Sequence, residues 1–105
     1  MALSESEFHD LIDRRFAELE RALDRCDADL DYDTTGGVLT ISFENRSKLI
    51  LSRQAPVRQL WVAARSGGFH FDWNGSDWVH DGSGEGLDAF LSRLASEQAG
   101  EPVVF

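Results

Sequence analysis

The chain has 105 residues, with 19 Asp and Glu against 10 Lys and Arg, and a formal net charge of −9. A 42% hydrophobic fraction with three Trp and seven Phe describes a globular protein, one domain over residues 1–105, rather than an acidic disordered tail. Nucleic acid and anionic membranes are poor partners for such a charge, since both are held by clustered Lys and Arg, and no apolar run approaches the ~20 residues of a membrane span.

The N-terminal MALSESEFHD lacks the basic start and apolar stretch of a secretory signal. Cys26 is the only cysteine, which leaves no internal disulfide and no cysteine-rich metal site. A cytoplasmic protein is the expectation.

From Glu5 to about Cys26, Phe8, Leu11, Ile12, Phe16, Leu19 and Leu23 recur at helical spacing, with Ser4 or Ser6 available as N-cap. At ~100° per residue they form one stripe. His9, Asp13, Glu20, Asp24 and Asp27 lie along one flank of it, and Arg14, Arg21 and Arg25 along the other.

The acidic flank runs into DADLDYD, where Asp27, Asp29, Asp31 and Asp33 alternate with Ala28, Leu30 and Tyr32. Period two is a strand pattern that sends four carboxylates to one face. Residues 1–33 hold eleven acids against four Arg, and residues 34–105 eight against six bases. The charge is therefore concentrated in a continuous ridge over the first third. Like charges that close oppose folding unless a cation or a basic surface neutralises them.

After the Gly36-Gly37 turn, VLTISFE presents Leu39, Ile41 and Phe43 on one face. Asn45-Arg46-Ser47 turns into KLILSR, Pro56 precedes RQLWVAAR, Ser66-Gly67-Gly68 turns into FHFDW, and Asn74-Gly75 precedes DWVHD. Leu87, Phe90, Leu91, Leu94 and Ala95 then predict a helix from about Leu87 to Gln98, stopped by Gly100, with EPVVF as a tail over the helix–sheet seam. One helix, about six hairpin-linked strands and one helix predict an α+β sandwich, both helices on one face of an antiparallel sheet. Val38, Trp61, His70 and Trp78 are candidates for the other, open face.

Carboxylates spread along a helix edge and a strand are hard ligands, suited to Fe2+, Fe3+, Mn2+, Ca2+ or Mg2+, with much water left on the ion. His9, one turn before Asp13, adds a nitrogen. Asp27, Asp29 and Asp31 match positions 1, 3 and 5 of an EF-hand, but Tyr32 and Val38 stand where that loop needs Gly and Glu. No nucleophile elbow, phosphate-binding loop or triad is present, so no enzymatic activity is expected. An acidic DNA mimic is an alternative, because alternate strand residues sit ~6.6–6.8 Å apart, close to phosphate spacing.

SEFHDLID, the acidic helix–strand junction, GGVLTISFENRSKLILSRQ, QLWVAARSGGFHFDW, DWVHDGSGE and QAGEPVVF, in this order and spacing, resemble the bacterial frataxins (the CyaY family) over nearly the whole chain. The resemblance implies a non-catalytic, iron-binding regulator of iron–sulfur cluster assembly. Such a protein docks on the cysteine desulfurase and its scaffold machinery, as a monomer that can assemble with iron. It implies weak iron binding at His9, Asp13, Glu20, Asp24, Asp27, Asp29, Asp31 and Asp33. Partner contact falls to Glu20, Asp24, Asp27, Asp29, Asp31 and Asp33, with Trp61 as the family's exposed sheet tryptophan. Arg21 and Arg25 stand where relatives often carry acids. An iron store or ferroxidase working through metal-driven oligomers is the alternative within the family.

Overall fold

The computed structural model describes residues 3–105. The elements are α1 (Glu5–Asp24), β1 (Leu30–Thr35), β2 (Val38–Phe43), β3 (Lys48–Gln54), a 3-10 turn (Ala55–Val57), β4 (Gln59–Ala64), β5 (Gly67–Trp73), β6 (Trp78–His80) and α2 (Leu87–Ala99). Each strand pairs antiparallel with the next, giving a six-stranded meander with β1 and β6 at its edges.

Both helices cover one face. Phe8, Ile12, Phe16, Leu19 and Leu23 of α1 and Leu87, Phe90, Leu91, Leu94 and Ala95 of α2 join Leu39, Ile41, Leu49, Leu51, Leu60, Val62 and Phe71 of the sheet in one buried cluster. Period 3.6 on the helices and period 2 on the strands thus meet in a single core. Among the described residues no helix is long and apolar enough to cross a membrane.

α1 starts at a capping box. Ser4 Oγ accepts from the Glu7 N–H at 3.1 Å, and Glu7 Oε1 accepts from the Ser4 N–H at 3.0 Å. Those bonds hold the Glu7 carboxyl below its ordinary value. The helix ends at Asp24, two residues short of the predicted Cys26, with Arg25 as C-cap.

The β1–β2 turn is made by Gly36 and Gly37 at φ 61° and 78°, the left-handed pair that a tight hairpin needs. It fixes the register Leu30↔Phe43, Tyr32↔Ile41 and Thr34↔Leu39. Since Leu39, Ile41 and Phe43 face the helices, so do Leu30, Tyr32 and Thr34, while Asp31 and Asp33 face the other way.

The C-terminal tail packs on α2. Val103 is buried, its N–H donates to Ser96 Oγ at 2.9 Å, and the Phe105 N–H donates to Ser92 Oγ at 3.0 Å. Buried Gln98 ties the end of α2 to two turns of the sheet. Its Oε1 accepts from the Arg65 N–H at 3.1 Å, and its Nε2 donates to Ser47 Oγ at 3.1 Å and the Lys48 carbonyl at 3.2 Å.

Trp78 was expected on the open face and is instead fully buried, edge-on to Phe8 with ring centroids 5.8 Å apart. The Asn74–Asp77 turn sets Trp78 opposite Trp73, which shares the inward parity of Phe71. Trp61 does lie on the open face, between Ser52 and His70 in register, stacked on the His70 ring at 4.4 Å. Val38 is half-buried on that face.

Candidate functional site

The acidic residues gather where the end of α1 meets the edge strand β1, but they reach solvent by three routes. Glu20 and Asp24 project from α1 toward the helix-facing side of β1. There Thr34 Oγ1 donates to Glu20, and the Tyr32 hydroxyl donates to Asp24 at 2.6 Å. Asp27 and Asp29 lie in the link before β1, since the strand begins at Leu30 rather than at Asp27. Beyond Leu30 there is nothing to pair with, because β2 ends at its partner Phe43. Asp31 and Asp33 project from the opposite face of β1, beside Ser42 and Thr40.

The expected exposure pattern is present all the same: Asp27, Asp29, Asp31 and Asp33 are exposed, and Ala28, Leu30 and Tyr32 half-buried. Asp33 accepts from the Thr35 hydroxyl at 2.7 Å. Asp27, Asp29 and Asp31 accept no hydrogen bond through their side chains from any described residue and form no ion pair.

His9 and Asp13 are set apart from this group by a cation that belongs to the protein. Arg53 of β3 points under α1, donating to Asp13 Oδ1 at 2.8 Å and to the Gly37 carbonyl at 3.2 Å. Its Nη1 lies 3.2 Å from His9 Nδ1, and its guanidinium carbon 5.5 Å from the Phe16 ring centre. One guanidinium thus bridges the helix, the β1–β2 turn and an aromatic face, and already neutralises Asp13. Arg53→Gln is expected to lower stability by about 1–3 kcal/mol, as loss of a charge-assisted fork does, read by urea unfolding. The same change should move the His9 ring resonances by removing their neighbour.

Tyr32 and Thr34 were not singled out in the sequence, although both are polar residues at helix-facing positions of an edge strand. Glu44 and Glu101 were missed as well. The hairpin register that pairs Leu30 with Phe43 carries Glu44 alongside Asp29. Asp29, Asp31 and Glu44 line a shallow depression of about 320 Å³, and Asp29, Glu44 and Glu101 another of about 190 Å³.

Hard oxygen donors fit an oxophilic cation such as Fe2+, but among the described residues no three His, Cys, Asp or Glu groups come close enough together to chelate an ion. The edge can therefore offer one or two carboxylates at a time to an ion that keeps most of its water, or many at once to an extended basic surface.

Tyr32 is the only tyrosine. Its phenol is raised above 10.0, first by the hydrogen bond to Asp24, then by burial and by the charges of Asp24 and Glu20. A raised acid keeps its proton in the folded chain at a pH where the unfolded chain has lost it. That contribution to stability is complete below pH ~10 and disappears as pH rises through the raised value. Phenolate absorbance is expected to titrate above pH 10, and Asp24→Asn to bring the midpoint down.

A frataxin-like domain model matches residues 1–101. The chain is 57% identical over 105 residues to the iron-sulfur cluster assembly protein CyaY of Pseudomonas aeruginosa, covering 98% of this chain and 97% of that one. It belongs to the frataxin family. The CyaY of Azotobacter vinelandii is 50% identical over 107 residues, covering 100% of this frataxin and 97% of its relative. Among solved structures, the frataxin of Psychromonas ingrahamii superposes with a TM-score of 0.90 at 39% identity, covering 97% of both chains. A trimeric frataxin from Saccharomyces cerevisiae, complexed with ferrous, superposes at 0.68 with 23% identity over 96% of this chain and 90% of its own, a likeness of fold alone. The two helices and the six-stranded antiparallel sheet are those of the frataxin fold.

Proposed function

We propose that this frataxin is a non-catalytic, cytoplasmic adaptor of iron–sulfur cluster assembly. Its acidic edge docks on a basic surface of the cysteine desulfurase, and iron bound weakly at the same edge changes the charge presented there. The name shared by its 50–57% identical relatives, iron-sulfur cluster assembly protein, supports the setting. The observation that carries the reading is the run of exposed, uncompensated carboxylates at Asp27, Asp29 and Asp31, joined by Glu20, Asp24 and Asp33.

Charges held in that state on an edge with no chelating cluster favour a broad electrostatic contact, sensitive to salt, over a tight metal cage. Trp61, stacked on His70, is the apolar contact of the open face in this reading. His9 and Asp13 contribute least to iron, because Arg53 already holds them.

The test is an anaerobic Fe2+ titration followed by 15N–1H NMR. Amide signals over Glu20–Asp33 are expected to broaden, with the central strands untouched and the amides of His9 and Asp13 affected late. Uniform or absent broadening removes iron from the reading and leaves a protein-docking edge alone.

A second reading, iron storage through assembly, draws on a trimeric yeast frataxin at 27% identity and a TM-score of 0.61. It requires large oligomers when Fe2+ and oxygen are added, and a chain that stays monomeric by light scattering excludes it.

A further inference from the structure

The flank of α1 turned away from the acidic edge is basic. Arg14, Arg15, Arg21 and Arg25 line a groove of about 580 Å³ bounded by the helix, the β5–β6 turn, the start of α2 and Phe105. Arg15 is fully engaged, with Asp88 at 2.6 Å, Asp77 at 3.4 Å and Glu18 at 3.4 Å, the three acids that line the groove. Burial works to lower its pKa, but the bond and charge of Asp88, with Asp77 and Glu18, outweigh that and raise it. Arg14, Arg21 and Arg25 are exposed and make no side-chain hydrogen bond or ion pair with any described residue.

Half-buried Trp73 and Leu11 give the groove apolar surface beside the arginines.

Shape narrows the ligand. Arg14 and Arg25 are eleven residues apart on one helix, about 16 Å at 1.5 Å per residue. No small carboxylate spans that length, whereas an extended chain covers it in about five residues at ~3.3 Å each. The guanidinium fork suits carboxylates spaced along such a chain. We propose that this flank is a docking groove for an extended acidic segment of a partner protein. Its carboxylates engage Arg14, Arg21 and Arg25, and an apolar side chain rests on Trp73.

The formal charge of −9 repels such a segment at long range. Only the local field of the three arginines can hold it, so their position and not the net charge decides binding. That separates the proposal from a general electrostatic effect.

The probe is a fluorescein-labelled synthetic peptide, Glu-Leu-Glu-Glu-Leu-Glu, followed by anisotropy at roughly 50 mM salt. Combined Arg14→Gln, Arg21→Gln and Arg25→Gln should weaken binding about tenfold or more. Combined Arg46→Gln, Lys48→Gln and Arg65→Gln removes the same charge from exposed sites elsewhere and should change it less than about twofold. In the unmodified protein the Trp73 indole cross-peak should shift as peptide is added. Absence of saturable binding, or equal loss in the two variants, overturns the proposal. Displacement of the peptide by micromolar citrate also overturns it, since that would describe a small-anion pocket.

Discussion

Reversing Asp29, Asp31 and Asp33 together to Lys is expected to weaken the proposed binding to the cysteine desulfurase by at least about 100-fold, some 2.7 kcal/mol. The change converts three negative charges into three positive ones on a contact proposed to be electrostatic, so each site would move from attraction to repulsion. The fold should tolerate it. All three side chains are exposed, Asp29 and Asp31 have no partner to lose among the described residues, and Asp33 loses its bond from Thr35. Relief of repulsion along the edge should leave the melting temperature unchanged or slightly raised. Binding that survives the triple reversal, measured by calorimetry at low salt, would place the contact elsewhere on the molecule.

Gln98→Leu is expected to destabilise the protein by about 2–4 kcal/mol while leaving the acidic edge intact. The substitution is close in volume, so packing is not the cause. The Arg65 N–H loses the acceptor that Gln98 supplied, and the Lys48 carbonyl and Ser47 hydroxyl lose a donor, at the point where α2 closes over the sheet. For a chain of this length the melting temperature should fall by roughly 10 °C or more. A loss below about 0.5 kcal/mol in urea unfolding would mean that water replaces the amide without cost.

Much of the architecture was legible because two periodicities do not overlap. Phe8 to Leu23 recur as only a helix can use them, and Leu39, Ile41 and Phe43 as only a half-buried strand can. The Gly36-Gly37 pair announced the first hairpin, and with it the register that a fuller reading would have used to bring Glu44 to Asp29. What escaped was long-range. Nothing local to Arg53 announces that it lies under α1 beside His9 and Asp13, 44 and 40 residues away in sequence. The face of Trp78 depends on the length of the turn before it, and a slip of one residue there inverts the side chain. The alternation of Asp27 to Asp33 was read as one strand, whereas chain reversal after α1 takes its first half, and a strand extends only as far as it has a neighbour.

β1 is the last strand on its side of the sheet, whereas β6 at the other end has a bridge from Val79 to Gly86 across part of its outer side. The outer backbone amides and carbonyls of β1 therefore form a template onto which another strand could add. Two copies approaching there would bring Asp31 and Asp33 of one near the same residues of the other, and their repulsion would oppose such pairing. The carboxylates proposed to meet cations and partners would thus also oppose pairing of copies along this edge. Any neutralisation of them, by mutation, by low pH or by a bound ion, weakens that protection, so solubility and ligand occupancy of this edge draw on the same few charges.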